Sequence, residues 1–208
     1  MTPAQVRMAK RNNVHMALEI AREARQIHGG MGYVEETGAA QHYRDARILA
    51  IYEGTNGIQA ADLAGRKILG DEGREIRKLI SELREVCAGM QGDEALATIA
   101  DSVSSGLDQL EQGVDWLLAN AMSHPAALGA SSFNLLMLTG TVLGAAYLAK
   151  GAAAASAAGG TDPGFLKEKV ATTAFYCAHV LPRAQGYLAA MRADPEVTMA
   201  LPAEAFLD

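Results

Sequence analysis

The sequence predicts an all-α protein that ends in an antiparallel helical bundle. Forty of its 208 residues are alanine and only 11 are aromatic, and alanine has the highest helix propensity of all residues. Apolar side chains recur every three or four residues over long stretches, which is the spacing of one face of a helix. We find no strand-rich segment in the sequence, so helices account for the whole predicted fold.

The balance of charge divides the chain into two predicted units. Residues 1–70 contain nine Lys or Arg against seven Asp or Glu, whereas residues 71–208 contain nine against seventeen. The net charge therefore changes from +2 to −8 near Gly70-Asp71-Glu72-Gly73, where we place the boundary. The total of −6 argues against nucleic-acid binding, which depends on a basic surface.

The first unit is predicted to contain two helices joined by a loop. The first covers residues 4–27, and its end at Gly29-Gly30 follows from the preference for glycine after a helix. Residues 29–57 hold six glycines and are predicted to form the loop. The second helix should begin near Thr55 or Asn56 and run to Leu69, because Asn56 and Gln59 have the spacing of a capping box.

Four further helices are predicted in the second unit. Two are defined by apolar stripes and the third runs from Pro125 toward Ala158, with proline in its first turn. The fourth is capped by Thr161-Asp162-Pro163 and kinked at Pro182. Short connections favour an antiparallel bundle. The stripes of the first, second and fourth helices are Ile76, Leu79, Ile80, Leu83, Val86 and Met90; Leu96, Ile99, Val103, Leu107, Leu110, Val114 and Leu117; and Leu166, Val170, Ala174, Cys177, Leu181, Ala184, Leu188 and Met191.

A long uncharged segment has two interpretations. Residues 116–149 contain no Asp, Glu, Lys or Arg, a run longer than the roughly 20 residues of a membrane span. Interspersed polar side chains and abundant alanine and glycine favour a helix buried in the bundle over a membrane span. Gly140 and Gly144, four residues apart, would let a neighbouring helix approach closely.

Cysteine content and the N-terminus indicate the compartment. Cys87 and Cys177 are the only cysteines, too few for a disulfide framework. The N-terminal residues lack the apolar core of a signal peptide. We therefore expect a cytoplasmic protein.

The five histidines lack the spacing of metal ligands, so the sequence does not predict a metal site. Residues 26–59 form the one region whose pattern indicates a catalytic or binding site. Glu53 follows the apolar run 49–52 and precedes Gly54, so its carboxylate would leave buried chain where backbone can approach a ligand. A helix beginning near Thr55 would offer N–H groups to a phosphate. Likewise, Gly29-Gly30-Met31-Gly32 resembles a loop that approaches a phosphate, although it follows a helix rather than a strand and so does not fit the Rossmann fingerprint. From the residues alone, Glu53 is either a catalytic carboxylate or one stabilised by the helix dipole.

The run QIHGGMGYVEETGAAQHYRDARILAIYEGTNGIQAADLAGRKIL strongly resembles the C-terminal helical domain of flavin-dependent acyl-CoA dehydrogenases. It matches in two blocks, Gln26–Tyr33 and Tyr43–Gln59. Beyond residue 70 the chain is similar to the acetyl-CoA dehydrogenase C-terminal extension, found in a group that includes the methylmercaptopropionyl-CoA dehydrogenases. Phe133-Asn134-Leu135-Leu136, Thr139-Gly140 and Phe175-Tyr176-Cys177-Ala178-His179-Val180-Leu181-Pro182 carry that second resemblance.

The resemblance implies a role for each residue of the two blocks. Glu53 would be the base that removes the α-proton of an acyl-CoA thioester while the β-hydride passes to flavin N5, and Gly54 would lie against the thioester. Arg44 and Asp45 match a motif expected to hold the loop by an ion pair. The residues expected to contact FAD are Gln26, Ile27, His28, Gly29 and Gly30, which would reach the FAD of a neighbouring subunit, and Thr55, Asn56 and Gly57.

The resemblance also implies cofactor and partners: FAD, an acyl-CoA substrate of fatty acid metabolism, electron-transfer flavoprotein as acceptor, and a homo-oligomer. Members of the family also need an N-terminal helical domain and a middle β-domain. We therefore expect a C-terminal fragment that is inactive alone. The alternative is a non-catalytic helical module for oligomerisation or docking.

Overall fold

A computed structural model of the chain describes residues 3–52, 54–124, 126–157 and 163–206. Every regular element within these ranges is helical, which confirms the predicted all-α fold. The α-helices are α1 (Pro3–Ile27), α2 (Ala39–Ile48), α3 (Asn56–Ala61), α4 (Arg74–Ala88), α5 (Glu94–Asn120), α6 (Ala127–Ala157), α7 (Pro163–His179) and α8 (Arg183–Met191). A π-helix (Asp62–Ile68) continues α3, and 3-10 turns cover Gly29–Gly32, Glu35–Thr37, Leu69–Asp71, Pro195–Met199 and Ala203–Phe206.

The first helix agrees with its prediction, but the predicted loop after it contains another helix. Helix α1 ends at Ile27, and Gly29 adopts the left-handed backbone conformation (φ +57°) that glycine adopts readily. Helix α2 lies inside the segment 29–57, where we expected only loop. Ala40 is its single buried residue, so α2 has no apolar stripe from which periodicity could predict it.

Helix α3 begins at Asn56, which agrees with the predicted start near Thr55 or Asn56, but its cap differs from the capping-box prediction. Thr55 precedes the helix, and its Oγ1 accepts a hydrogen bond from the N–H of Ile58 at 3.4 Å. The predicted cap residue, Asn56, instead directs its side chain inward and is only 7% exposed. The side-chain amide of Asn56 bonds to another helix, and Thr55 caps α3. The capping-box interpretation of Asn56 and Gln59 was therefore wrong.

The apolar stripes of the second unit form its core. All members of the α4 and α5 stripes are buried except Val86, which is half-buried and packs against the same core. Asp93 caps α5, with its carboxylate accepting hydrogen bonds from the N–H groups of Ala95 and Leu96. On the outer side, Arg84 of α4 pairs with Asp108 and Glu111 of α5 at 2.7 and 2.8 Å.

The predicted kink at Pro182 is a complete break in the structure. Helix α7 ends at His179 and α8 starts at Arg183. The predicted stripe is buried from Cys177 onward, but Ala174 is exposed and Thr173 is buried in its place. Thr173 can be buried because its hydroxyl donates to the Lys169 carbonyl at 2.8 Å. The predicted helix ends Pro125, Ala158, Thr161 and Asp162 lie outside the described residues.

Helix α6 is the centre of the bundle and contacts α1, α3, α5, α7 and α8. Among the described residues it is the one helix long and apolar enough to cross a membrane, yet 72% of its most apolar 18-residue window is buried inside the protein. The burial is that of a core helix. Gly144 permits the approach of α7, as predicted, because a Cβ there would lie 2.4 Å from Tyr176 Oη.

The two predicted units share one hydrophobic core. Ala60, Leu63, Ala64 and Ile68 belong to the same buried cluster as the apolar residues of α4 to α8. The chain turns at Glu72 and Gly73, both with positive φ. The division into residues 1–70 and 71–208 stays a prediction, and the contacts join the two parts into one packed structure.

Candidate functional site

The predicted site region begins where the chain turns back against the end of α1. Arg25 Nε donates to the carbonyl of Gly32 at 3.2 Å, and its guanidinium lies 5.0 Å from the centre of the Tyr43 ring. Gly32 is buried, and a Cβ at this position would lie 2.2 Å from the Arg25 carbonyl oxygen. Only glycine therefore allows the chain to pass so close to α1.

A second set of contacts fixes the loop between α1 and α2. Thr37 Oγ1 donates to the carbonyl of Met31 at 2.8 Å. Arg44 forms two hydrogen bonds with the Glu35 carboxylate, at 2.7 and 2.9 Å, which lower the pKa of Glu35. The ion pair that holds this loop therefore joins Arg44 to Glu35 rather than to Asp45.

The first segment predicted to contact FAD, Gln26–Gly30, lies at the protein surface. All five residues are exposed, and the apolar side chain of Ile27 is 85% exposed. His28 Nδ1 donates to the Ala24 carbonyl at 2.8 Å. Apart from its neighbours in the chain, no described residue would place an atom within 4 Å of a Cβ at Gly29 or Gly30, so the described backbone here leaves space for a ligand.

The second predicted segment connects α2 to α3. Glu53, the predicted base, lies outside the described residues, but both of its flanks are described. On one side the Tyr52 N–H donates to the Ile48 carbonyl at 3.1 Å. On the other, Gly54 has φ +88°, and Thr55 and Gly57 are exposed. The chain is therefore described up to Tyr52 and again from Gly54.

Asn56 differs from its neighbours because its side chain is directed into the protein. Its Nδ2 donates to Nε2 of His15 at 2.9 Å, and its backbone N–H donates to the Ala50 carbonyl at 3.2 Å. Both predicted segments are thus attached to α1, one as its continuation and the other through His15.

Sequence reasoning missed His15. Its ring contacts Phe133 of α6 edge to face, with 5.5 Å between the ring centres. Burial lowers the pKa of His15, so the imidazole is neutral at pH 7 and Nε2 can accept a hydrogen bond. In the sequence the only signal is a position beside the apolar Val14, which indicates a helix face and gives no link to Asn56.

Two open grooves lie near this region. One, of about 440 Å³, is lined in part by Arg25, Tyr33, Tyr43 and Arg44. The other, of about 400 Å³, includes His15, Tyr43 and the ion pair between Glu19 and Arg183. Among the residues that the structure describes, those predicted to contact FAD or substrate line neither groove. Within the described part of the chain, no group of three or more His, Cys, Asp or Glu could hold a metal ion.

Comparison with protein families gives two adjoining matches. Residues 1–68 match the family model described as "Acyl-CoA dehydrogenase, C-terminal domain". Residues 76–202 match the model described as "Acetyl-CoA dehydrogenase C-terminal like".

Comparison with individual proteins gives relatives with related names. The chain is 45% identical to 3-methylmercaptopropionyl-CoA dehydrogenase of Ruegeria pomeroyi over 169 residues, which is 79% of this chain and 29% of the relative. It is 30% identical to a butyryl-CoA dehydrogenase of Syntrophomonas wolfei over 100% of this chain and 35% of the relative. A mitochondrial short-chain specific acyl-CoA dehydrogenase of Bos taurus is 55% identical over 58 residues, 28% of this chain and 14% of the relative.

The chain spans about a third of the length of the first two relatives. Both of its parts, before and after residue 70, match C-terminal regions of the same group of enzymes. The chain therefore belongs to the acyl-CoA dehydrogenase family.

Proposed function

We propose that this chain supplies the base and the flavin-contacting segments of an FAD-dependent acyl-CoA dehydrogenase, which oxidises the Cα–Cβ bond of an acyl-CoA thioester. The match of residues 1–68 to the C-terminal domain of the family carries the proposal. It covers Glu53 and every residue that we assign to flavin or substrate.

In the proposed reaction the Glu53 carboxylate takes the α-proton of the thioester and becomes a neutral carboxylic acid. Gly54 lets the thioester approach, because it has no side chain and its positive φ turns the backbone. A carboxylate is suited to this step when its pKa is matched to the working pH. Bound FAD would supply the acceptor for the β-hydride.

The described residues fit a flavin. Gln26, His28 and Thr55 are exposed polar side chains, and the glycine backbones beside His28 have open space around them. Asn56 fits differently, because its buried amide bonds to His15. In this proposal the Asn56 side chain holds the segment in place, and Thr55 and Gly57 face the ligand.

Two experiments test the proposal. The purified chain is first titrated with FAD and followed by flavin absorbance. The chain is then joined to the preceding part of the Ruegeria pomeroyi relative, and dye reduction is measured with acyl-CoAs of different chain length. We expect Glu53→Gln to abolish turnover while FAD stays bound. Glu36→Gln, an exposed carboxylate in the same region, is the matched control. Undiminished turnover in Glu53→Gln would refute the assignment.

We also propose a cytoplasmic enzyme that passes electrons to electron-transfer flavoprotein and works as a homo-oligomer.

A docking role is the second candidate, favoured by large apolar side chains exposed around the site. Such surfaces commonly bind other proteins. Sedimentation analysis of the purified chain tests self-association, and a monodisperse monomer would contradict it. The exposed residues are Ile27, Met31, Tyr33, Ile48, Ile51 and Ile58, between 53% and 85% exposed.

A further inference from the structure

We infer that His15 is a positioning residue that fixes the Gly54–Gly57 segment through its hydrogen bond to Asn56. This inference rests on the proposed function, which assigns the segment to substrate and flavin. His15 itself lies on α1, 41 positions earlier in the chain than Asn56. It would act through Asn56, without touching either ligand.

The side chain of Asn56 is buried in the protein. A buried amide that loses its hydrogen-bond partner pays the full cost of desolvation, which is larger than the net value of the bond itself. Asn56 is 7% exposed, and its Nδ2 lies 2.9 Å from His15 Nε2. The contact therefore favours one orientation of Asn56 strongly over others.

Asn56 also lies where the segment after α2 meets the first turn of α3. Its backbone N–H donates to the carbonyl of Ala50, so this bond closes a loop of chain that has Glu53 at its middle position in the sequence. Beyond Asn56, the amides of Ile58 and Gln59 both bond to Thr55. Fixing Asn56 thus fixes both the closure of this loop and the first turn of α3.

The ring of His15 is itself held in place. Phe133 contacts its ring edge to face. The charged and titratable groups lining the groove around it are Glu19, Arg22, Tyr43, Arg183 and Tyr187. Glu19 is paired with Arg183 at 2.9 Å, and Arg22 is paired with Glu23 at 2.7 Å. Burial keeps the imidazole neutral, so Nε2 remains an acceptor for Asn56.

Displacement of this segment would affect chemistry because a catalytic group misplaced by about 1 Å can cost on the order of 100-fold in rate. The inference predicts that loss of the His15 acceptor loosens Gly54–Gly57 without unfolding the bundle. Restoring an acceptor at the same place should restore the segment.

Amide hydrogen exchange of the 208-residue chain, without flavin, tests the inference. His15→Phe keeps a ring beside Phe133 but removes the acceptor, whereas His15→Gln provides Oε1 as an acceptor. We expect His15→Phe to speed exchange of the Asn56, Ile58 and Gln59 amides about tenfold, as for the loss of one hydrogen bond. His15→Gln should exchange like the wild type.

Two further variants complete the design. Asn56→Ala removes the donor without adding volume, so it should reproduce the effect if the Phe variant packs poorly. The double variant His15→Phe/Asn56→Ala should exchange its amides no faster than either single variant. Ile20→Ala, at an exposed position of α1, is the control and should change nothing.

The inference is overturned if neither His15→Phe nor Asn56→Ala speeds exchange, if His15→Gln behaves like His15→Phe, or if exchange rises equally throughout α4 and α5. A parallel FAD titration separates this inference from the proposed function. Rescue in exchange without flavin binding would support the role of His15 and count against the flavin site. Flavin binding with unchanged exchange would support the flavin site and count against the role of His15.

Discussion

Two glycines of α6 should respond in opposite directions to the same substitution. A Cβ at Gly144 would lie 2.4 Å from Tyr176 Oη and 3.0 Å from its Cζ, and this hydroxyl donates to the Thr141 carbonyl at 3.2 Å. At Gly151, seven residues later in the same helix, a Cβ would meet no atom of another described part of the chain within 4 Å. Gly144→Ala must therefore displace Tyr176, whereas Gly151→Ala displaces nothing.

The expected magnitudes follow from three contributions. Replacing glycine by alanine within a helix stabilises the fold by up to about 1 kcal/mol. Overpacking at Gly144 costs about 1–3 kcal/mol, and loss of the Tyr176 hydrogen bond costs about 1 kcal/mol more. We therefore expect Gly144→Ala to lower the free energy of unfolding by about 2 kcal/mol and Gly151→Ala to raise it by up to about 1 kcal/mol.

Urea denaturation followed by the fluorescence of Trp116, the single tryptophan, measures both changes. Trp116 is half-buried and packs against the core, so its emission should report unfolding of the bundle. Equal stabilisation by the two substitutions would refute the close contact between α6 and α7. Tyr176→Phe in the Gly144→Ala background should recover part of the loss, because the nearest clashing atom is the hydroxyl oxygen.

Two further predictions concern titratable groups. Burial lowers the pKa of His15 below its usual 6.5, so near and just below pH 6.5 the imidazole is protonated to a larger extent in the unfolded chain than in the folded chain. The free energy of unfolding should fall on acidification from pH 7 to 5, less steeply in His15→Gln, and equal slopes would contradict this. Burial, and to a smaller extent the nearby Cys87, raises the pKa of Cys177 to about 11. Cys177 should react slowly with a thiol reagent at pH 8 until urea unfolds the chain, as measured by absorbance.

Long helices with a wide apolar stripe were predictable from the sequence. Helix α5 agrees with its prediction because its buried face repeats over many turns. Helix α1 also has its predicted bounds, although within residues 14–27 only Val14 is buried. Helix α2 was not predictable in this way, since it buries one alanine and is held by Arg25 and Arg44 instead. Polar contacts of this kind leave no periodic pattern.

The site was predictable only in part. The two blocks around Gly29-Gly30 and Glu53 were identified by resemblance to a family, and their chemical role remains a proposal. The bond between His15 and Asn56 joins residues 41 positions apart, and no local pattern relates them. The ion pair of Arg44 illustrates the same limit, because adjacent Asp45 suggested a partner while folding brought Glu35 to it.

The shared core has a consequence for how the chain unfolds. Ala60, Ala64 and Ile68 are buried in one cluster with residues of α6. The helical segment that contains them therefore packs against the region beyond residue 70. The two parts should melt in a single cooperative transition. Substitutions on the inner face of α6 would then change the support beneath α3, and the two regions must accept mutations in a coordinated way.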